Sequence, residues 1–234
     1  MDNFSCQVKR NEIKYEMYYL DAIRLQNELD ILLERDSFSV NGSYSVRSLY
    51  FDSLNNIDFT EKNAGYEKRK KIRIRIYDSL AKYGKFEIKQ KWGNYSDKKS
   101  ILITRDEISR AMIGDYSFLI DYDTQIALEL YSTLTFGCYS PKTIIEYQRL
   151  AFIYPENNIR ITFDSNIKCS EIDLNLFKDD IPWLPVSNEK LILEVKFDKA
   201  LIKIISDVLK KYKLYQVSIS KYISGRPVYC QYII

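Results

Sequence analysis

The stretch Lys70-Lys71-Ile72-Arg73-Ile74-Arg75-Ile76-Tyr77 alternates cations with β-branched apolar residues, the period-two pattern of a strand with two unlike faces. Ile72, Ile74 and Ile76 are set to enter a core. Lys71, Arg73 and Arg75 then stand in a row on the opposite face, about 7 Å apart. The next basic segment, Lys85-Phe86-Glu87-Ile88-Lys89-Gln90-Lys91, places Lys85, Glu87, Lys89 and Lys91 on one face. Neighbouring strands with cationic faces repel unless an anion or water comes between them. Arginine suits phosphate because its planar fork donates two hydrogen bonds and keeps its charge when desolvated. A few carboxylates among many cations form the donor set of a metal–phosphate site. The carboxylates hold a hard divalent cation, and the cations hold phosphate oxygens. Each strand taken alone fits an antiparallel strand with a solvated basic face equally well.

Composition narrows the chemistry. The chain has 234 residues, 46% hydrophobic and 29% charged, with a net charge of only +3. Any anion site must therefore come from local clustering and not from the global field. The sequence contains no histidine, which removes His-based acid–base work, Ser-His triads and His-ligated metals. Cys6, Cys138, Cys169 and Cys230 are widely spaced with no zinc pattern, and read as reduced core thiols of a cytoplasmic protein. No apolar run approaches the roughly 18 residues of a membrane span, and the start lacks a signal-peptide core. A net charge of +3 is also short of a nucleic-acid-binding footprint, so no nucleic acid partner is expected.

The elements that must position these residues follow from periodicity. Residues 5–16 alternate as a strand with the charged face Arg10, Glu12, Lys14. Residues 18–35 change to helical spacing, with a stripe of Leu20, Ile23, Leu25, Leu29, Leu32 and Leu33. A strand over 44–53 and a short helix over 54–65 closed by Gly65 come next. After the two basic strands, Trp92-Gly93-Asn94 opens a loop that carries Lys98 and leads into a strand over 99–104. Thr104-Arg105-Asp106-Glu107 is a capping box, with helices to about 113 and over 117–134. Strands are expected over 141–153, 158–168 and 191–197, a helix over 199–212, and a short mixed tail. No repeat or composition shift divides the chain, so one domain, 1–234, is expected.

Most strands share the two-faced pattern. Arg160, Thr162 and Asp164 oppose Ile159, Ile161 and Phe163; Glu194 and Lys196 oppose Leu193, Val195 and Phe197. An open sheet with one wet face writes this pattern, and so does a closed barrel with a polar lumen.

Eight segments in order resemble the vacuolar transporter chaperone (VTC) polyphosphate polymerase domain of the triphosphate tunnel metalloenzyme superfamily. They are RNEIKY (10–15), SLYFD (48–52), KIRIRIY (71–77), FEIKQK (86–91), EYQRLAF (146–152), NIRITFD (158–164), LILEVKF (191–197) and SKYISG (220–225). The resemblance implies an α+β fold: a closed antiparallel β-barrel, or tunnel, with a polar, basic lumen and flanking helices. It implies transfer of the terminal phosphate of ATP to inorganic polyphosphate with a divalent metal, Mn2+ or Mg2+. By the same resemblance Arg73, Arg75, Lys89, Arg160 and Lys221 form the catalytic grip on the phosphates. Lys14, Arg149 and Lys168 join them in phosphate binding, and Glu194, Glu12 and Glu87 provide metal ligands.

Two departures bear on the path of a product chain. Lys168 stands where relatives often carry a second arginine, and Ser218 where some carry lysine. A triphosphatase or nucleoside triphosphate hydrolase acting in the same tunnel, and a non-catalytic polyphosphate-binding module, use the same residues and stay open on sequence.

Overall fold

A computed structural model describes residues 10–39, 41–93, 95–187 and 189–232, with side chains from 11 to 226. In chain order its elements are β1 (Arg10–Tyr18), α1 (Tyr19–Leu32), β2 (Glu34–Arg35), β3 (Tyr44–Asp52), α2 (Ile57–Asn63) and β4 (Lys68–Ile76). There follow β5 (Tyr83–Trp92), β6 (Tyr95–Thr104), α3 (Arg105–Met112), α4 (Gln125–Phe136), β7 (Ser140–Tyr154) and β8 (Ile159–Ser170). The chain ends with β9 (Leu184–Pro185), β10 (Lys190–Asp198), α5 (Lys203–Lys210), β11 (Tyr215–Gln216) and α6 (Lys221–Tyr232). Residues 5–9 of the expected first strand lie outside the described residues.

The strands form one eleven-stranded antiparallel sheet in the order β11-β1-β10-β8-β7-β3-β4-β5-β6, with β2 paired to β7 and β9 to β8. This corrects the expectation of a closed barrel. The hydrogen-bonded path has two ends, and among the described residues β11 and β6 do not pair. Alternation along a strand records two unlike faces and carries no information on whether the last strand meets the first. Both ends are protected as open edges are: β11 has two residues, and β6 carries Asp97, Lys98 and Lys99.

The chain divides into two compact units, and β7 and β8 each contribute to both. The first takes residues up to 44, 148–166 and 187–219. Its core packs Leu25, Leu29 and Leu33 with Phe152, Ile161, Phe163, Leu193, Val195 and Ile205. The α1 stripe is narrower than expected, since Leu20 and Ile23 are exposed. At about 100° per residue they stand about 140° and 160° around the helix from Leu25, on its far side.

The second unit takes 45–147, 167–186 and 220 onward. Ile72, Ile74 and Ile76 enter its core beside Leu49, Phe51, Phe86, Ile88, Ile101 and Ile103, as the alternation requires. The loop expected after Trp92 is a tight hairpin, with Trp92 paired directly to Tyr95. Gly93 takes a positive φ of 55°, which two-residue hairpin turns demand. Lys98 and Lys99 therefore stand inside β6 and not on a loop. The capping box of α3 forms as read: Thr104 Oγ1 accepts from the Glu107 N–H at 3.3 Å and Glu107 accepts from the Thr104 N–H at 2.7 Å. Cys169 is buried and free, with burial pushing its thiol up to about 12. Cys138 is exposed, which corrects its expected place in the core, while Cys6 and the Cys230 side chain lie outside the description.

Gly84 in β5 marks a close approach. A Cβ there would stand 2.7 Å from Ile108 Cδ1 and 3.1 Å from both the Arg75 carbonyl oxygen and Ile76 Cγ2. Gly84→Ala should lower unfolding free energy by about 1–3 kcal/mol, the usual cost of overpacking. Denaturant melts of the two proteins would show it, and an unchanged midpoint would mean that α3 moves away freely.

Candidate functional site

In the second unit the polar face of β3, β4, β5 and β6 forms cross-strand rows. Lys71, Lys89 and Lys98 stand in one row, Tyr50, Arg73, Glu87 and Ser100 in the next, and Ser48, Arg75, Lys85 and Leu102 in a third. Glu87 lies at the centre, and its carboxylate is 2% exposed. It accepts from Arg73 Nε at 2.6 Å and lies 2.5 Å from Lys98 Nζ and 3.5 Å from Arg75 Nη2. Burial alone would raise the Glu87 carboxyl, but the charges of Arg73, Arg75 and Lys98 hold it at about 2. Arg73 Nη1 donates to the Tyr50 hydroxyl at 3.0 Å. Two of the five guanidinium donors of Arg73 are thus engaged, and its Nη2 has no hydrogen-bond partner among the described residues.

Three polar atoms of this face are buried without a hydrogen-bond partner among the described residues: Arg75 Nε, Ser48 Oγ and Glu87 Oε1, the last only in ion-pair range of Lys98. The first two are neighbours. They sit on directly paired residues of β4 and β3. Buried donors are nearly always satisfied, so an orphan on a guanidinium asks for an acceptor, and an oxyanion supplies one.

The start of α6 joins the same unit. Lys71 Nζ lies 2.5 Å from Ser220 Oγ, Lys221 Nζ stands 4.6 Å from the centre of the Tyr147 ring, and Tyr222 stacks on Tyr50 at 5.2 Å. The sequence SKY thus delivers three consecutive side chains to the basic face and its backing.

The first unit has a different character. Glu12 Oε1 and Glu194 Oε2 converge on Lys14 Nζ at 3.1 and 3.4 Å, and Lys196 Nζ lies 2.5 Å from Glu194 Oε1. Burial would lower the Lys14 ammonium, but Glu194 and Glu12 raise it well above its ordinary value. Arg160 Nη2 donates to Asp36 at 2.5 Å and to the Tyr44 hydroxyl at 3.2 Å. Arg149 makes a bidentate pair with the fully buried Asp164, at 2.6 and 2.7 Å. Each named carboxylate of this unit has its own cation.

The expected site residues thus fall in two groups. Arg73, Arg75, Glu87, Lys89 and Lys221 belong to the second unit; Glu12, Lys14, Arg149, Arg160 and Glu194 belong to the first. Lys168, also in the second unit, joins a separate set. It lies 2.8 Å from Glu146, which pairs with Arg47 at 2.6 Å, and both cations flank the Trp183 ring. Sequence reasoning missed Lys98 and Tyr50. The signal for Lys98 was the Trp92-Gly93-Asn94-Tyr95 turn, which sets the register that carries Lys98 beside Lys89.

No cluster of three or more acidic or thiol groups able to hold a metal occurs among the described residues. The pair Glu12 and Glu194 nevertheless fits a hard divalent cation in donor chemistry, because their oxygens already converge on one positive centre, the Lys14 ammonium. Mg2+-like ions are commonly held by one or two carboxylates with phosphate oxygens completing the shell. Glu87, the third carboxylate expected to hold the metal, contacts Arg73, Arg75 and Lys98.

The VTC domain model matches residues 9–229. No curated protein matches the chain by sequence. Among solved structures, a proposed adenylate cyclase from Bacillus halodurans is similar with a TM-score of 0.54 at 13% identity, covering 91% of this chain and 95% of its own. A second proposed adenylate cyclase, from Vibrio parahaemolyticus, gives 0.51 at 14% identity, covering 92% and 97%. At these identities the likeness is one of fold.

The Glu87 cluster has a pH signature. A carboxyl depressed in the folded state stabilises above its unfolded value and loses that contribution as pH falls towards its folded value. With a fall from 4.5 to about 2, Glu87 should forfeit about 2 kcal/mol between pH 5 and pH 3. Chemical unfolding at the two pH values should show a drop smaller by about that amount in Glu87→Gln. An equal drop in both proteins would remove Glu87 from the acid response.

Proposed function

The chain belongs to the VTC domain family, and on that premise we propose that it is a metal-dependent polyphosphate polymerase, a phosphotransferase that moves the terminal phosphate of ATP onto inorganic polyphosphate. The observation that carries the reading is the orphaned, buried Arg75 Nε beside Arg73, on a face where Lys71, Arg73, Arg75, Lys85, Lys89 and Lys98 outnumber the carboxylates Glu87 and Asp52. Arg73, Arg75, Lys89, Lys98 and Lys221 in the second unit hold phosphate oxygens. In the first unit Arg160 and Lys14 do the same, and Glu12 and Glu194 hold the divalent ion. Arg149 and Lys168, which pair with Asp164 and Glu146, join the other cations in phosphate binding. Glu87 acts as the resident counterion that keeps the arginines in place.

The chemistry needs no general base. A terminal phosphate oxygen of the growing chain is already anionic, so the lack of histidine is no obstacle. The barrier a protein can lower is the repulsion of two polyanions and the cost of aligning them. Arg73 and Arg75 meet both demands through directional, permanently charged donors. Mn2+ or Mg2+, when bound, supplies further neutralisation of phosphate charge.

Pure protein incubated with ATP and Mn2+, with and without a short polyphosphate primer, tests the reading. Long chains with stoichiometric ADP are expected. Free phosphate without chains would replace it by hydrolysis, and binding without either product by a polyphosphate-binding module. Arg73→Ala and Arg75→Ala should each weaken tripolyphosphate affinity by about 1.5–3 kcal/mol, the worth of a charged hydrogen bond, and wild-type affinity would make this a solvated face. Glu194→Gln should abolish metal-dependent turnover while leaving metal-free phosphate binding in place; unchanged turnover would refute its metal role.

A further inference from the structure

Behind Arg73 in the second unit runs a chain of contacts that ends at the buried Asp52. Arg73 Nη1 donates to the Tyr50 hydroxyl at 3.0 Å. The Tyr50 ring stacks on Tyr222 with centroids 5.2 Å apart and planes inclined by 18°. Phe59 closes on Tyr222 edge-on at 6.2 Å. The Tyr222 hydroxyl donates to Asp52 Oδ2 at 2.6 Å. Asp52 is itself fixed by three backbone donors: its Oδ1 accepts from Ser53 at 2.8 Å and Asp58 at 3.0 Å, and its Oδ2 from Phe59 at 2.9 Å. Asp52 and Tyr222 are both essentially without exposed surface.

We propose that Tyr222 and Asp52 are positioning residues that act through Tyr50 on the Arg73 guanidinium. The inference rests on the reading of this face as a phosphate site. An arginine side chain has many rotamers, and a fork that aims at phosphate must be held by at least two bonds of its own. Glu87 takes Nε and Tyr50 takes one Nη1 hydrogen, which fixes the guanidinium plane and leaves Nη2 to donate to a phosphate. Tyr50 can supply a fixed acceptor only if its ring does not swing. Tyr222 bars that motion by stacking, and Asp52 bars the same motion in Tyr222 by its hydrogen bond. The geometry also gives Tyr50 a reason to be tyrosine: phenylalanine would fill the same space and leave the guanidinium with one bond.

Titration of the full chain with inorganic tripolyphosphate, without metal, tests this through a double-mutant cycle. Tyr50→Phe, and separately Tyr222→Phe, should weaken binding by about five- to tenfold, the loss of one hydrogen bond. In an Arg73→Lys background, which keeps the charge but not the fork, either substitution should change affinity less than about twofold. Equal losses in both backgrounds, or wild-type affinity in the single variants, would overturn the inference, because a merely structural tyrosine acts alike on every phosphate contact. A second measurement covers a background too weak to titrate. The rotation of the Arg73 guanidinium, followed by NMR of its Nη protons in the ligand-free protein, should speed up several-fold in Tyr50→Phe and in Tyr222→Phe. Unchanged rotation refutes the proposal. If the wild-type chain fails to bind tripolyphosphate at all, the phosphate reading itself falls and this inference with it.

Discussion

Three strands that each carry cations on one face can lie side by side only if something negative lies among them. In this chain that something is Glu87. The row pairing of β4, β5 and β6 sets Arg73 directly beside Glu87, with Lys71, Lys89 and Lys98 one row along and Arg75 and Lys85 one row the other way. A single buried carboxylate contacts Arg73, Arg75 and Lys98 and so offsets the repulsion where the cations are least hydrated. The compensation is deliberately incomplete in number, since one carboxylate serves three cations. What remains is a positive field on a rigid sheet, built before any ligand arrives.

The first unit balances its charges pair by pair. Glu12 and Glu194 share Lys14, Asp36 holds Arg160, and Asp164 holds Arg149 in a bidentate clasp. Two carboxylates converging on one ammonium mark a place where a cation is already favoured. In the reading proposed above, the carboxylates that hold the metal come from the first unit and most of the phosphate-binding cations from the second. Were they mixed strand by strand, each carboxylate would be taken up by its nearest arginine, as happens to Asp164.

Much of this was legible in the sequence. The alternation of Ile72, Ile74 and Ile76 with Lys71, Arg73 and Arg75 fixes both the core face and the basic face, because side-chain direction in a strand has a period of two. The capping box at Thr104 is equally local, four residues whose bonds need nothing distant. Lys98 was not legible as a neighbour of Glu87, since its place depends on the length of one turn, which in turn depends on Gly93 adopting a positive φ. Leu20 and Ile23 misled because helical spacing counts apolar residues without asking which side of α1 meets a core. The open path of the sheet was the largest surprise. Closure is a relation between the first and last strands of the path, and no strand's own pattern records it.

Burying arginine is an expensive way to make a stable protein. Replacing a buried ion pair by well-packed apolar residues is often neutral or stabilising, whereas leaving a buried charge unpaired is strongly destabilising. The second unit holds Arg75 with a buried Nε that finds no partner among the described residues, next to an Arg73 already pinned at Nε and Nη1. Stability alone would favour a leucine or methionine at either position, with Glu87 replaced to match. The cluster therefore makes sense, on the reading proposed above, as a device whose folded state leaves a buried donor, Arg75 Nε, short of an acceptor. Arg73 is held at a fixed angle by Glu87 and Tyr50, and in that reading the missing acceptor is one a phosphate brings. That shortage, and not the count of basic residues, separates this face from an ordinary solvated strand, on which every lysine and arginine can turn to water.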